Sequence, residues 1–194
     1  MTFAMGWFGE NLGSERAIAS LCALVCAVSA SAGTATPAQM PEIPHTQPPA
    51  SEAERLLVVH NAERSRLGLP PLVWNPSLAS DAGSYAKTLL ARGQLAHASA
   101  SERKGQGENL WMGTAGAWNS DAMVGMFLDE RRYFRAAAFP DVSLTGNWSD
   151  VGHYTQIVWK DTKEVGCAID TGNGMDVLVC RYSPAGNVFG QSPY

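Results

Sequence analysis

Residues 164–182 read EVGCAIDTGNGMDVLVCRY, two runs rich in Val, Ile and Leu on either side of Gly172-Asn173-Gly174. Asn-Gly is the strongest short hairpin signal, because both central residues of a type I′ turn need positive φ. With Asn173-Gly174 as the loop, cross-strand partners have residue numbers that sum to 347, a rule Cys167 and Cys180 satisfy. Counted outward from the turn, the cysteines occupy a non-hydrogen-bonded pair, where Cα atoms stand about 4.5 Å apart, within reach of a disulfide. Strands Glu164–Thr171 and Met175–Tyr182 joined by a Cys167–Cys180 bridge follow from register alone.

The segments upstream of the hairpin are helical. Ser51 with Glu54 three residues on is a capping box, and the run Ala53–Leu67 continues it until Gly68. Leu69-Pro70-Pro71-Leu72 is extended, since proline forbids helix continuation. Asn75-Pro76 starts a second helix, with Leu78, Ala82, Tyr85, Ala86 and Leu89 on one face up to Gly93. A third begins near Asn119 or Ser120 and places Met123, Met126, Phe127 and Glu130 on one stripe. A carboxylate on such a stripe needs a partner, which a histidine or a metal would supply. Helices first and strands later, without βαβ alternation, give an α+β or layered αβα domain.

At the other end of the chain, Arg16 precedes the apolar stretch Ala17–Ala30, and Ala30-Ser31-Ala32 has the small residues of a cleavage site. The stretch falls short of the roughly 20 apolar residues of a membrane span. Residues 1–32 are therefore read as a signal peptide, and the protein as secreted or periplasmic with no stable membrane span once mature. An uncleaved N-terminal membrane anchor is the alternative. Cleavage removes Cys22 and Cys26 and leaves Cys167 and Cys180 for one disulfide in an oxidising compartment. Residues 33–50, with Pro37, Pro41, Pro44, Pro48 and Pro49, form a proline-rich linker, and the domain proper runs over 51–194. The net charge of −4 and the scattered basic residues leave no footprint for nucleic acid.

Two further segments, GHYTQIVWKDT (152–162) and VLVCRYSPAGNV (177–188), resemble the signatures of the CAP superfamily: cysteine-rich secretory proteins, antigen 5 and pathogenesis-related proteins. Gly107-Glu108-Asn109-Leu110-Trp111 resembles its Gly-Glu-Asn-Leu element, Phe127-Leu128-Asp129-Glu130 its Trp-x-x-Glu helix with Phe127 in place of Trp, and His60-Asn61 with Arg64 its first helix. The resemblance covers roughly residues 53–190. It implies a three-layer αβα sandwich with a small, mostly antiparallel central sheet and loops over one face, as in a bacterial exported member. By β-branched and aromatic content residues 153–159 read as a strand; the resemblance implies a short helix there.

The resemblance also implies a central cleft lined by His97, Glu108, Glu130 and His153. Two imidazoles and two carboxylates suit a divalent ion, zinc or magnesium, with His97 and His153 as candidate ligands. Glu108 or Glu130 beside a metal-bound water is a candidate general base. The HExxH helix of common zinc proteases is absent. The first expectation is accordingly an exported binding module that holds a divalent ion weakly and a sterol or lipid as a further ligand class. The second is a metal-assisted hydrolase using the same cleft, and the third a cell-envelope interaction protein. The plain structural alternative is a hydrogen-bonded cluster that satisfies buried polar groups. His60, mid-helix, is read as a packed histidine rather than a ligand.

Overall fold

The computed structural model describes residues 51–194. The signal peptide expected at 1–32 and the linker expected at 33–50 lie outside the described residues. Helix α1 (Glu52–Arg66) opens on the capping box: the Ser51 hydroxyl accepts from the Glu54 N–H and the Glu54 carboxylate accepts from the Ser51 N–H at 2.7 Å. Helix α2 (Pro76–Arg92) opens on Asn75, whose side chain accepts from the N–H groups of Ser77 and Leu78, and closes on Gly93 at φ 68°. Both helices start and stop where turn chemistry requires.

Four strands, β1 (Val73–Trp74), β2 (Gly107–Thr114), β3 (Glu164–Gly172) and β4 (Met175–Ser183), form one sheet in the order β1-β3-β4-β2. Only β1 lies parallel to its neighbour; the other pairings are antiparallel. The hairpin has the register expected from its turn, with Asn173 and Gly174 at φ 55° and 76° and Cys167 opposite Cys180. The disulfide joins them at a Cα separation of 4.1 Å, and a crosslink over so short a loop contributes about 3 kcal/mol in the chain-entropy account.

The pleat divides β4 between two layers. Val177 and Val179 pack with Leu110 against the face of α2 formed by Ala82, Tyr85, Ala86 and Leu89. Leu178, Cys180 and Tyr182 face Leu56 of α1, Met123 and Phe127 of α4 (Ser120–Asp129), and Tyr154 and Ile157 of α5 (Gly152–Ile157). Helix α3 (Ala100–Arg103) is a single turn that precedes β2 in the chain. The αβα sandwich is thus the arrangement the resemblance implied. Gly166 of β3 lets α2 approach closely, since a Cβ there would run into the Ala79 N–H. No helix of the described residues is long and apolar enough to cross a membrane.

Two elements differ from a reading of residue types alone. Residues 152–157 are a helix, despite their strand-like composition, and its ends are satisfied by charges from elsewhere. The Glu130 carboxylate accepts from the His153 and Tyr154 N–H groups, both at 3.0 Å. The buried Arg64 guanidinium donates to the carbonyls of Ile157 at 2.9 Å and Trp159 at 2.8 Å. An anion at the N-terminus and a cation at the C-terminus complement the helix dipole and its orphan backbone groups. Strand β2 carries no alternation to detect, because Gly107 to Trp111 are buried in succession.

Candidate functional site

Consecutive residues of β2 point to opposite layers and so tie the two halves of the site together. Glu108 lies on the α2 side, directly opposite Arg181 of β4. One of its oxygens, Oε1, accepts from His97 Nδ1 at 2.7 Å and from the Ala98 N–H at 3.0 Å. Its Oε2 lies 2.8 Å from Arg181 Nη2, an ion pair whose alignment falls short of a hydrogen bond. Both side chains are buried; Arg181 also stacks over the Tyr85 ring at 5.2 Å and donates to Gln106 Oε1 at 3.3 Å. Asn109 points the other way. Its Nδ2 donates to the His153 carbonyl at 3.0 Å and to the Tyr182 hydroxyl at 3.2 Å.

The second pair comes from α4 and α5. Glu130 was expected on the apolar stripe of the third helix, but that helix ends at Asp129 and the chain tightens to 3₁₀ geometry over Glu130–Tyr133. Glu130 therefore sits at the end of the stripe rather than along it, and its side chain reaches α5. Besides the two peptide N–H groups, it accepts from His153 Nδ1 at 2.5 Å. The His153 ring stacks on Phe127, centroids 4.6 Å apart and 25° from parallel. From the opposite side Tyr154 donates to the Glu63 carboxylate at 3.0 Å, which also takes Arg66 and Arg131.

All four residues named from the sequence therefore meet, as two carboxylate–imidazole pairs rather than one four-residue cage. Each Nδ1–H donates to its glutamate, which leaves Nε2 as the nitrogen that carries the lone pair in the neutral imidazole, and neither Nε2 has a hydrogen-bond partner among the described residues. Such a carboxylate fixes tautomer and ring orientation for whatever the other nitrogen binds. His97, Glu108 and His153 line one pocket of about 280 Å³ together with Trp148 and Asn187. Among the described residues, no three of the four cleft residues bring donor atoms within 4.8 Å of one another. His60 with Cys167 and Cys180 does, but both sulfurs are consumed in the disulfide. His60 is a packed histidine: Nδ1 donates to the Leu56 carbonyl at 2.7 Å and Nε2 accepts from the Tyr182 hydroxyl at 2.8 Å. Burial holds its pKa down at about 4 and pushes the Tyr182 hydroxyl up.

Sequence reasoning missed Arg181 and Asn187. Arg181 becomes visible only once β2 is recognised as the partner of β4. Asn187, at φ 56°, braces the first turn of α5: it accepts from Thr155 Oγ1 at 2.7 Å and donates to the Gly152 carbonyl at 2.9 Å. Its signal in the sequence is no more than an Asn after a Gly.

A model of the cysteine-rich secretory protein family, CAP, matches residues 57–182. Pathogenesis-related protein 1B of Nicotiana tabacum is 36% identical over 154 residues, covering 78% of this chain and 86% of that protein. A PR-1 type pathogenesis-related protein of Sambucus nigra is 35% identical over 136 residues, covering 70% and 77%. Among solved structures, NaASP2 with Zn2+ superposes with a TM-score of 0.63 at 26% identity over 75% of this chain and 86% of that one. Venom allergen-like protein 4 of Schistosoma mansoni shares the fold with a TM-score of 0.56 at 22% identity over 75% and 94%. The family model and the relatives agree with the fold and the hairpin, and the chain belongs to the CAP family of cysteine-rich secretory proteins.

Proposed function

We propose that this chain is an exported CAP-domain binding module whose cleft holds a divalent ion weakly between the Nε2 atoms of His97 and His153. The observation that carries the reading is the pairing of each imidazole, through Nδ1, with its own buried or half-buried carboxylate. That is the outer-shell arrangement of histidine metal ligands. Two nitrogen donors favour zinc over magnesium, which prefers oxygen. Two protein ligands with the remaining positions open to water account for weak binding, since structural zinc sites use four. The presence of Zn2+ in the NaASP2 structure is in keeping with this. An ion bound there supplies a Lewis acid for an oxygen ligand entering the cleft.

The geometry weighs less for the hydrolase reading. Glu108 is buried against the Arg181 guanidinium and Glu130 already takes two peptide N–H groups and an imidazole, contacts that stabilise the carboxylate form of each and weaken it as a proton acceptor. Pockets of about 270 and 280 Å³ lie below the roughly 300–1,000 Å³ of drug-sized sites. They favour a small ligand over a sterol or an acyl chain at this cleft. An envelope-interaction role would draw on residues 33–50. Export rests on the apolar stretch and cleavage pattern within residues 1–32.

Calorimetric titration of chelator-treated protein with zinc and with magnesium tests the ion. Zinc binds more tightly than magnesium; His97→Ala and His153→Ala each abolish the zinc isotherm, and Glu108→Gln and Glu130→Gln weaken it by about 10-fold or more. Unchanged zinc binding in the His97→Ala/His153→Ala double variant overturns the assignment.

A further inference from the structure

Beside the imidazole pair lies a second pocket of about 270 Å³, which shares His97, Glu108, Trp148 and Asn187 with the first. Its walls differ in chemistry. One side is aromatic: the Phe139 ring centroid stands 5.1 Å from Trp148 and 5.1 Å from Phe189, edge-on to the latter at 88°. Phe139 is buried, yet Trp148 is 42% and Phe189 69% exposed. Large exposed rings held by a buried third form a patch rather than scattered surface residues, the pattern of a contact surface.

The lining also carries Arg103. Its Nε donates to the Ala98 carbonyl at 3.0 Å, which fixes the stem, and neither Nη has an acceptor among the described residues. The negative charge of Glu108 in the same wall is already matched by Arg181. Arg103 is thus the uncompensated formal charge lining the pocket. Gln156 also lines the pocket and is held in place through its amide: Oε1 accepts from the Gly186 N–H at 2.9 Å and Nε2 donates to Thr162 Oγ1 at 3.2 Å. Gly107 and Gly186 flank it, and a Cβ at either position would collide with the Gln156 side chain. A group of rings and one guanidinium in a pocket of this size define what fits.

We infer that this pocket binds a small aromatic carboxylate, its ring against Trp148 and Phe189 and its carboxylate on Arg103. Guanidinium recognises carboxylate through paired N–H donors, while ring–ring contact supplies the apolar share. The site rests on the cleft reading only through the shared His97 and Glu108 wall, and it requires no ion.

The test titrates chelator-treated protein with 3-phenylpropionate, 3-phenylpropan-1-ol and propionate. The acid binds saturably; the alcohol, lacking the charge, and propionate, lacking the ring, each bind about 10-fold more weakly or less, as expected for a charge-assisted hydrogen bond and for a lost aromatic contact. Arg103→Gln removes the preference for acid over alcohol, and Phe189→Ala weakens both aromatic probes by about 5-fold. Equal binding of acid and alcohol, a preference that survives in Arg103→Gln, or no saturation by the acid overturns the inference. Should Arg103→Gln fail to fold, the acid–alcohol comparison on the parent protein still decides. Loss of zinc binding with acid binding intact sinks the ion reading alone, and the reverse result sinks this one alone.

Discussion

The two halves of the cleft solve one electrostatic problem in different ways. Glu108 is fully buried on a strand and is neutralised by a guanidinium directly across the ladder. Glu130 remains 19% exposed at a helix end and has no Lys or Arg partner among the described residues; two peptide N–H groups and an imidazole take its oxygens. Burial dictates the choice. A carboxylate with no access to water needs a full countercharge, whereas one at the cleft rim is served by oriented dipoles and solvent. Both solutions deliver the same product, an imidazole locked through Nδ1.

The contrast can be broken most forcefully at Arg181. Arg181→Met strands the Glu108 charge in the sheet and is expected to cost about 3–5 kcal/mol in urea-denaturation free energy. Adding Glu108→Gln to that variant restores a substantial part of the loss, because no buried charge is left. If Arg181→Met is as stable as the parent, the countercharge account of this half is wrong.

Acid probes the other half, through the chain His60–Tyr182–Asn109 that ends on the His153 carbonyl. His60 is neutral in the folded protein, its pKa lowered by burial from 6.5 to about 4. Above pH 6.5 neither state is protonated there and the histidine adds no pH dependence. Between pH 6.5 and 4 the unfolded chain takes up a proton that the folded one refuses, so stability falls, by up to about 3 kcal/mol, and the loss levels off below pH 4. Unfolding free energies of the parent and of His60→Gln across this window check it: the variant has the flatter curve, and parallel curves would count against a buried neutral imidazole.

Glu130→Gln has the smallest effect. The amide keeps an oxygen for the N–H groups at the start of α5 and loses the charge, a change of about 1–3 kcal/mol. His153 then faces an amide, and its ring nitrogen resonances shift in NMR while those of His97 stay in place. A shift at both histidines would show that the two pairs are one network.

What could be read from residue order was local or countable. The capping residues Ser51 and Asn75 and the stops at Gly68 and Gly93 follow from φ and hydrogen-bond requirements within a few residues. The Cys167–Cys180 bridge follows from a two-residue turn. The need of Glu130 for a partner was also visible, since a carboxylate beside Met123 and Phe127 has a cost in any fold. The identity of that partner came only through the family resemblance, which sets Glu130 and His153 in one cleft; residue pattern does not encode it, because His153 is 23 positions away and reaches Glu130 only across packed elements.

Pattern failed where burial is two-sided or where charges come from afar. Strand β2 hides its period because both faces are covered. Helix α5 runs against its own β-branched composition because Glu130 and Arg64 satisfy its two ends.

The sequence by itself thus determined the hairpin, its disulfide, two capped helices and the family, all of which depend on neighbours in the chain or on quoted motifs. The tertiary structure alone decided that Glu108 and Glu130 each hold one imidazole, that Arg181 backs the first, and that a ring-lined pocket opens beside them. The physical reason is that charge compensation acts through space: a buried carboxylate selects whatever donor the packing brings within 3 Å or so, and residue order does not encode that distance.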